Sequence, residues 1–156
     1  MRLLYAGKGK TMNKTPWNPS KRAIKRVKNP LPKPEQCNCC GRETVVIKSN
    51  AEIYGRKYGE WPWVYICEGC NSYVGMHPFT DIPLGTLADA ATREARKEGK
   101  APFEALHRTG KMTRNAAYQK LADKLGIPKE ECHFGWFDTA MCKKAAAAAR
   151  EIYLGI

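Results

Sequence analysis

The sequence predicts an α+β fold, and three changes in composition along its 156 residues support this prediction. Residues 1–36 are basic and contain five prolines. Residues 37–75 are rich in cysteine, glycine, aromatic and β-branched residues, which is typical of short strands and tight turns. From residue 86 onwards, alanine-rich segments show helical periodicity. We therefore expect a basic arm at 1–36, a small β unit with a connecting loop at 37–85, and a helical part at 86–156 packed on the β unit.

The N-terminal arm, residues 1–36, holds ten basic residues and one acidic residue, whereas the remainder of the chain holds seventeen and fourteen. Its prolines remove amide donors and disfavour long helices, so only residues 20–27 are expected to form a short basic helix. Because such a segment buries little apolar surface, we expect it to be flexible unless bound, and to be attracted to polyanions. Nucleic acid is the favoured partner, and the candidate phosphate contacts in the arm are Lys14, Lys21, Arg22, Lys25, Arg26 and Lys28.

The cellular setting follows from what the sequence lacks. No stretch approaches the roughly 18 consecutive apolar residues of a membrane span, and the opening MRLLYAGKGK is interrupted by lysine too early for a secretory signal. We therefore expect a cytoplasmic protein without a membrane partner. In a reducing compartment, clustered cysteines bind metal more often than they form disulfides.

Two C-x2-C pairs lie in the β unit, with 26 residues between them, and their members are Cys37, Cys40, Cys67 and Cys70. Two sulfurs at this spacing on a tight turn can bind one ion, and four complete the closed tetrahedral shell of a structural Zn2+. Cys39 competes with Cys40 in CNCC, but Gly41 relieves the turn and favours Cys40. A closed site of four thiolates stabilises the fold and does not activate water.

Three strands are expected in the β unit, at residues 44–48, 61–66 and 72–74, which is the arrangement of a zinc ribbon. Three aromatic residues, Trp61, Trp63 and Tyr65, alternate along the second strand and should share one sheet face. Such a face is either packed in the core, which is favoured, or a platform for stacked bases.

The hairpin connection between the first two strands combines aromatic and basic residues. Tyr54 and Tyr58 flank Arg56 and Lys57 there, and these side chains are expected to be exposed. Rings mixed with cations suit nucleic acid.

The helical part is bounded by capping signals. Thr86 with Asp89 predicts a helix at 87–98 that ends at Gly99, followed by a separate turn at 102–108. Further signals predict a helix capped by Thr113 and ended by Gly126, a turn at 128–132, and a last helix from Asp138 to about Leu154. Arg93, Lys97 and Lys100 form a basic stripe on the first helix and beyond its predicted end, which is either a phosphate contact or a solvated face.

Four other residues are candidate ligands of a second zinc ion, namely His77, Cys132, His133 and Cys142. The alternative is that the cysteines and histidines belong to the core. The adjacency of Cys132 and His133 makes joint ligation of one ion awkward.

The segment from Tyr65 to Asp89, YICEGCNSYVGMHPFTDIPLGTLAD, and the segment ECHFGWFD followed by Cys142 carry motifs that are not general features of zinc ribbons. Together they resemble a family of small zinc-finger-containing proteins of bacteria and their phages, over most of residues 37–154. The resemblance implies metal binding and a phage or prophage setting, and this family has no settled activity.

This chain departs from the family at one place. Where members carry a histidine and a tryptophan around an F-D pair, it has Lys100, Phe103, Glu104 and His107, so no role of that histidine is carried over. The ribbon also looks like the small zinc modules of topoisomerases and transcription proteins, which implies nucleic-acid contact by analogy.

Three hypotheses of function result. The first is a non-enzymatic, zinc-stabilised nucleic-acid-binding protein of a phage or prophage. The second is a protein-interaction module that docks on a host or phage enzyme or joins an assembly such as the virion, because the proline-spaced segment NPLPKP is suited to extended binding. The third is a metal-dependent nuclease centred on His77, Asp81 and His133.

Overall fold

A computed structural model describes residues 14–155, which form a three-stranded sheet followed by packed helices in an α+β fold. The chain divides into two units, Met1–Leu87 and Ala88–Ile156. The predicted fold class is confirmed, whereas the packing of the helical part on the β unit stays a prediction. Residues 1–13 of the N-terminal arm lie outside the described residues.

A short helix, α1 (Lys21–Arg26), lies in the described part of the arm, within the segment predicted to be helical. Ser20 caps it by accepting a hydrogen bond from the amide of Ala23 at 3.2 Å. The basic side chains of α1 are exposed, while Ala23 and Ile24 are half-buried. The helix is therefore amphipathic, with its charge directed to solvent.

Residues 14–36 also contact the β unit. The contacts are a ring contact of Trp17 with Trp63, with centroids 5.4 Å apart, a hydrogen bond from the Ser20 amide to the Phe79 carbonyl at 2.8 Å, and an ion pair of Lys33 with Asp81 at 2.9 Å. Pro16 is fully buried beside them. The expectation that the arm is flexible unless bound stays a prediction.

The sheet is antiparallel, with its strands in the order β1 (Val45–Ser49), β2 (Trp63–Cys67) and β3 (Tyr73–Gly75). Val45 lies opposite Cys67 at one end of the first pair, and Ser49 lies opposite Trp63 at the other. A single helical turn, α2 (Ala51–Tyr54), begins the hairpin connection. The strands match their predicted positions to within two residues.

The loop after β3 packs against the aromatic residues of the second strand segment. Trp61 Nε1 donates to the Thr80 carbonyl at 2.9 Å, and the Tyr65 hydroxyl donates to the Asp81 carbonyl. The ring of Trp61 lies 5.2 Å from that of Phe79, whose φ of 63° falls in the left-handed region. Tyr65 is only 3% exposed and Trp61 is half-buried, so these two rings pack against the loop, in agreement with the favoured prediction of core packing.

The helical unit contains the longer helices of residues 14–155, namely α3 (Ala90–Arg108), α4 (Arg114–Leu125) and α5 (Thr139–Leu154). Short 3-10 turns, Lys129–Glu131 and Phe134–Trp136, connect the last two. The caps predicted at Thr113 and Asp138 are confirmed, since each side chain accepts an amide hydrogen bond from the first turn. Gly126 ends α4 in the left-handed conformation, also as predicted.

The first of these helices differs from the prediction at both ends. Asp89, and not Thr86, caps α3, and the helix continues through Gly99 and Pro102 to Arg108. The predicted stop at residue 99 and the separate turn at 102–108 are therefore wrong. Gly99 serves close packing, because a Cβ built on it would lie 2.8 Å from the carbonyl oxygen of Cys142 in α5.

The core of the helical unit surrounds Phe103, which is fully buried. Its ring lies 4.5 Å from Tyr118 and 5.6 Å from Phe134. Small buried residues of α5, among them Ala145 and Ala149, face this cluster and let the helices approach closely. No helix within residues 14–155 combines the length and apolar character needed to cross a membrane.

We expect Gly99→Ala to destabilise the protein although alanine favours helices. Overpacking costs about 1–3 kcal/mol, and the gain in helix propensity recovers about 1 kcal/mol. Urea denaturation monitored by circular dichroism should show a lower midpoint. Glu98→Ala, at an exposed neighbouring position, is the control and should leave the midpoint nearly unchanged. A more stable Gly99→Ala protein would contradict the close approach of α3 and α5.

Candidate metal centre

Two turns of the same geometry position the cysteines. In the first, the Cys37 amide donates to the Arg42 carbonyl at 2.8 Å, and the Gly41 amide donates back to the Cys37 carbonyl at 2.8 Å. In the second, the Cys67 amide donates to Ser72 and the Asn71 amide donates back to Cys67, at 2.9 and 2.8 Å. The two turns therefore hold their cysteine pairs in the same local backbone geometry.

The fifth residue of each turn has a positive φ, which explains its identity. Gly41 has a φ of 79° and Asn71 a φ of 64°. Glycine and asparagine are the residues that adopt this conformation most readily. The glycine that favours Cys40 as a ligand is thus required by the turn.

The four sulfurs converge, all within 4.8 Å of one another. The Sγ atoms of Cys37 and Cys70 are 3.7 Å apart, and those of Cys40 and Cys67 are 3.6 Å apart. These separations exceed the S–S bond of about 2.0 Å in a disulfide. The cysteines are therefore free thiols gathered at one point.

The separations fit a tetrahedral zinc ion. Four sulfurs placed about 2.3 Å from a central Zn2+ lie about 3.8 Å from one another in a regular tetrahedron. The observed 3.6 and 3.7 Å agree with this edge. Cys37 and Cys67 are buried and Cys40 and Cys70 are exposed, so the ion would sit at the margin of the sheet. Because all four positions are taken by protein, the site has no place for a reacting water.

Hydroxyl groups beside the second turn favour its thiolate forms. Thr44 Oγ1 lies 3.1 Å from Cys67 Sγ, and this hydrogen bond, with those from the backbone amides of Gly69 and Cys70, lowers the pKa of Cys67 to about 6. Ser72 Oγ lies 3.1 Å from Cys70 Sγ and lowers the pKa of Cys70 in the same way. Burial raises the pKa of Cys37 to about 12. Thiolates are the form that zinc binds, so these hydroxyls favour the ligating form of the second cysteine pair.

Neither hydroxyl was predicted from the sequence. Ser72 follows the second pair at a fixed distance, so a search of the turn itself could have found it. Thr44 lies 23 residues from Cys67 and is brought there by the pairing of β1 with β2, which local spacing does not reveal.

Cys39 lies outside the cluster, as predicted. Its sulfur is exposed and lies 3.5 Å from the Leu87 carbonyl. Its neighbour Asn38 binds Leu87 at both backbone groups, donating to the carbonyl at 2.8 Å and accepting from the amide at 3.0 Å. These bonds fix the turn of Cys37 and Cys40 to Leu87, the last residue of the first unit.

The hypothesis of a second zinc ion has no support in the described residues. Within residues 14–155, the four-cysteine cluster is the only group of three or more ligating side chains. Cys132 and Cys142 are buried in the apolar core of the helical unit, and burial raises the pKa of Cys132 to about 11. The ring of His133 packs 4.4 Å from that of Trp136, and His77 belongs to the other unit.

The basic candidates for nucleic-acid contact fall into both units. Those of the arm and of the hairpin connection lie in Met1–Leu87, and Arg56 and Lys57 are exposed as expected. Arg93 and Lys97 lie in the helical unit, where Arg93 donates to the Ala88 carbonyl at 2.7 Å and Lys97 is exposed. Arg93, a member of the predicted basic stripe, therefore binds the backbone just before the start of α3.

The sheet, the paired turns and the four sulfurs define a zinc-binding protein of the zinc-ribbon type, with one Zn2+ site. A family model described as a zinc-finger-containing domain matches residues 33–152. The chain belongs to this family. No curated protein and no solved structure matches the chain.

We expect Cys67→Ser to abolish zinc binding and unfold the first unit, because metal binding contributes on the order of 10 kcal/mol to the folding of such sites. Cys39→Ser is the matched control and should keep one zinc and the folded state. Native mass spectrometry gives the metal content, and circular dichroism gives the fold. Equal behaviour of the two variants would show that the assignment of Cys40 over Cys39 is wrong.

We expect Thr44→Val to weaken zinc binding by about tenfold while leaving the four ligands intact. Loss of the hydroxyl raises the pKa of Cys67, so protons compete better with zinc as the pH falls, and the deficit should grow toward low pH. Competition with a chromophoric chelator across the pH range measures it. Thr139→Val, at an exposed helix position, is the control, and an unchanged affinity in Thr44→Val would rule out this role.

Proposed function

We propose that this protein is a non-enzymatic nucleic-acid-binding protein of a phage or prophage, active in the cytoplasm of the bacterial host. The observation that carries the proposal is the basic face of α1. Its four cations, Lys21, Arg22, Lys25 and Arg26, are exposed, and none forms an ion pair with a residue in the range 14–155. Unpaired cations on an ordered helix are suited to phosphate contact.

The attachment of the arm to the β unit supports the proposal further. The ion pair of Lys33 with Asp81 and the hydrogen bond of Ser20 with Phe79 hold both flanks of α1. A basic helix fixed on a folded unit loses less conformational entropy on binding than a free chain does. The contribution of the zinc site is to hold the unit on which this helix rests.

The setting rests on the motifs that resemble proteins of bacteria and their phages. The family match itself concerns the zinc-finger-containing domain and supports metal binding. Four sulfurs that close the coordination shell favour a structural role for the metal, and so a protein without catalysis at this site.

A protein-interaction role is the second candidate, and one observation favours it. Pro30 and Pro32 are exposed in a segment without helix or strand, which is suited to extended docking on an enzyme or an assembly. A pull-down that survives nuclease treatment would support this candidate over the first.

The nuclease hypothesis has no observation in its favour among residues 14–155. His77 and Asp81 lie in one unit and His133 in the other, and the carboxylate of Asp81 is paired with Lys33. The cluster of ligating side chains in the described chain is the cysteine site, which is closed.

The proposal predicts binding that weakens steeply with salt. If Lys14, Lys28 and the four cations of α1 each neutralise a phosphate, the slope of log affinity against log salt on duplex DNA is about −5. Removal of the four α1 charges by Lys21→Gln, Arg22→Gln, Lys25→Gln and Arg26→Gln should reduce the slope to about −2. Fluorescence anisotropy of a labelled duplex across a salt series measures both.

A matched control removes four exposed charges elsewhere, by Lys120→Gln, Lys143→Gln, Lys144→Gln and Arg150→Gln in the helical unit. This variant has the same net charge as the α1 variant and should keep the steeper slope. Binding that is absent at low salt, or that responds equally to the two sets of changes, would refute the proposal.

A further inference from the structure

Three exposed aromatic residues of the first unit form what we name the aromatic patch, namely Trp17, Tyr54 and Tyr58. They are 66%, 54% and 62% exposed. Large aromatic side chains are usually buried, because each loses a large apolar area from water when it packs. The exposure of three such rings in one unit indicates a binding surface.

Contacts bring the patch to one end of the sheet. Trp17 packs on Trp63, which begins β2 and lies opposite Ser49, the last residue of β1. The next residue, Asn50, holds Tyr58 by its side chain. The patch therefore lies at the end of the β1–β2 pair where Ser49 and Trp63 meet, opposite the end where Cys67 joins the metal centre.

The tyrosines are held in place and do not lie on a loose loop. The Asn50 side chain accepts from the Tyr58 amide at 2.9 Å and donates to the Tyr58 carbonyl at 2.8 Å. Asn50 is only 7% exposed, so water competes little with these bonds. Gly55 and Gly59, with φ of 79° and 81°, make the turns on either side.

Two of the rings, Trp17 and Tyr58, keep most of their surface exposed. The centroids of Tyr54 and Tyr58 are 5.7 Å apart with a tilt of 54°, which is direct contact, so no base fits between them. Trp17 meets Trp63 at 86°, edge against face. A planar ligand can therefore stack on the exposed parts of Tyr58 and Trp17.

Charge at the patch favours an anionic partner. The guanidinium of Arg56 lies over the Tyr58 ring, 5.9 Å from its centroid, and Lys57 beside it is exposed. Of the two acidic residues in the hairpin connection, Glu52 is paired with Lys48 at 3.6 Å, and Glu60 is exposed. A strand whose phosphates follow the cations and whose bases meet the rings matches this mixture.

We propose that the aromatic patch is a stacking site for unpaired bases, so that the ligand of this protein is single-stranded nucleic acid. This inference rests on the proposed function and narrows it. In a duplex the faces of the bases are covered by their neighbours, so surface rings gain contact only with a single strand. The cations of α1 then bind the phosphates of single-stranded and duplex nucleic acid alike, and the rings of the patch favour the single strand.

The test compares single-stranded with duplex ligands. Full-length protein is titrated into labelled oligothymidylate, oligouridylate and duplex DNA of about 20 residues each, with anisotropy as the readout. We expect Tyr58→Ala and Trp17→Ala each to weaken single-strand binding by about 5- to 150-fold, since one stacked base contributes about 1–3 kcal/mol. Duplex binding should change by less than about twofold. The two single-stranded probes report whether DNA or RNA is preferred.

Two controls accompany these variants. Tyr58→Phe keeps the ring and should retain single-strand affinity, which separates stacking from the hydroxyl. Tyr153→Ala removes an exposed tyrosine of the helical unit and should have no effect. Because all substituted side chains are exposed, circular dichroism and zinc content should match the unmodified protein.

The outcomes separate this inference from the function on which it rests. Equal binding of single strand and duplex, unchanged by loss of the rings, overturns the stacking site and leaves the proposed function standing. Absence of binding to every probe overturns both. If Tyr58→Ala instead abolishes self-association or capture of a protein, with single-strand affinity intact, the patch is a protein interface and the inference is wrong.

Discussion

The convergence of four cysteine sulfurs within 4.8 Å is the constraint on which the first unit depends. The buried apolar cluster around it is small, consisting of Cys37, Cys67 and Leu87 with Val45 and Val74 partly buried against them. A zinc ion contributes on the order of 10 kcal/mol to such a site, which is comparable with the whole stability of an ordinary domain. Metal binding therefore gives the first unit the stabilisation that the helical unit obtains from its apolar core.

The sheet separates this metal from the aromatic patch, which is the proposed binding surface. Five residues of β1 pair with five of β2, which spans about 13 Å between the cysteine end and the aromatic end. Zinc fixes the register at one end, and the hydrogen bonds of Asn50 fix the hairpin connection at the other. The proposed binding surface and the metal centre thus use different residues.

Local signals made much of the fold predictable from the sequence. The two C-x2-C pairs identify the four ligands because a tight turn encodes their geometry, and Thr113 and Asp138 mark helix starts because a cap acts within one turn. Gly99 misled the prediction, since a glycine that permits close packing and one that ends a helix look alike in sequence.

Other features depend on distant pairing. Thr44 reaches Cys67 only through the register of β1 with β2, and Trp17 reaches Trp63 from a segment far along the chain. No spacing rule within the sequence contains either contact. The role of Thr44 at the metal centre and the place of Trp17 in the aromatic patch are therefore evident only from the folded structure.

The left-handed backbone of Phe79 links the loop after β3 to the arm. This conformation costs a residue with a side chain roughly 1–2 kcal/mol, which contacts elsewhere must offset. The ring of Phe79 lies against Trp61, and its carbonyl receives the amide of Ser20, the residue that begins α1. Glycine at this position would relieve the backbone but forfeit the ring contact. The strained backbone of Phe79 thus helps to hold α1 on the unit. Pulling the arm away would break the hydrogen bond from Ser20 and so remove one of the contacts that offset this strain.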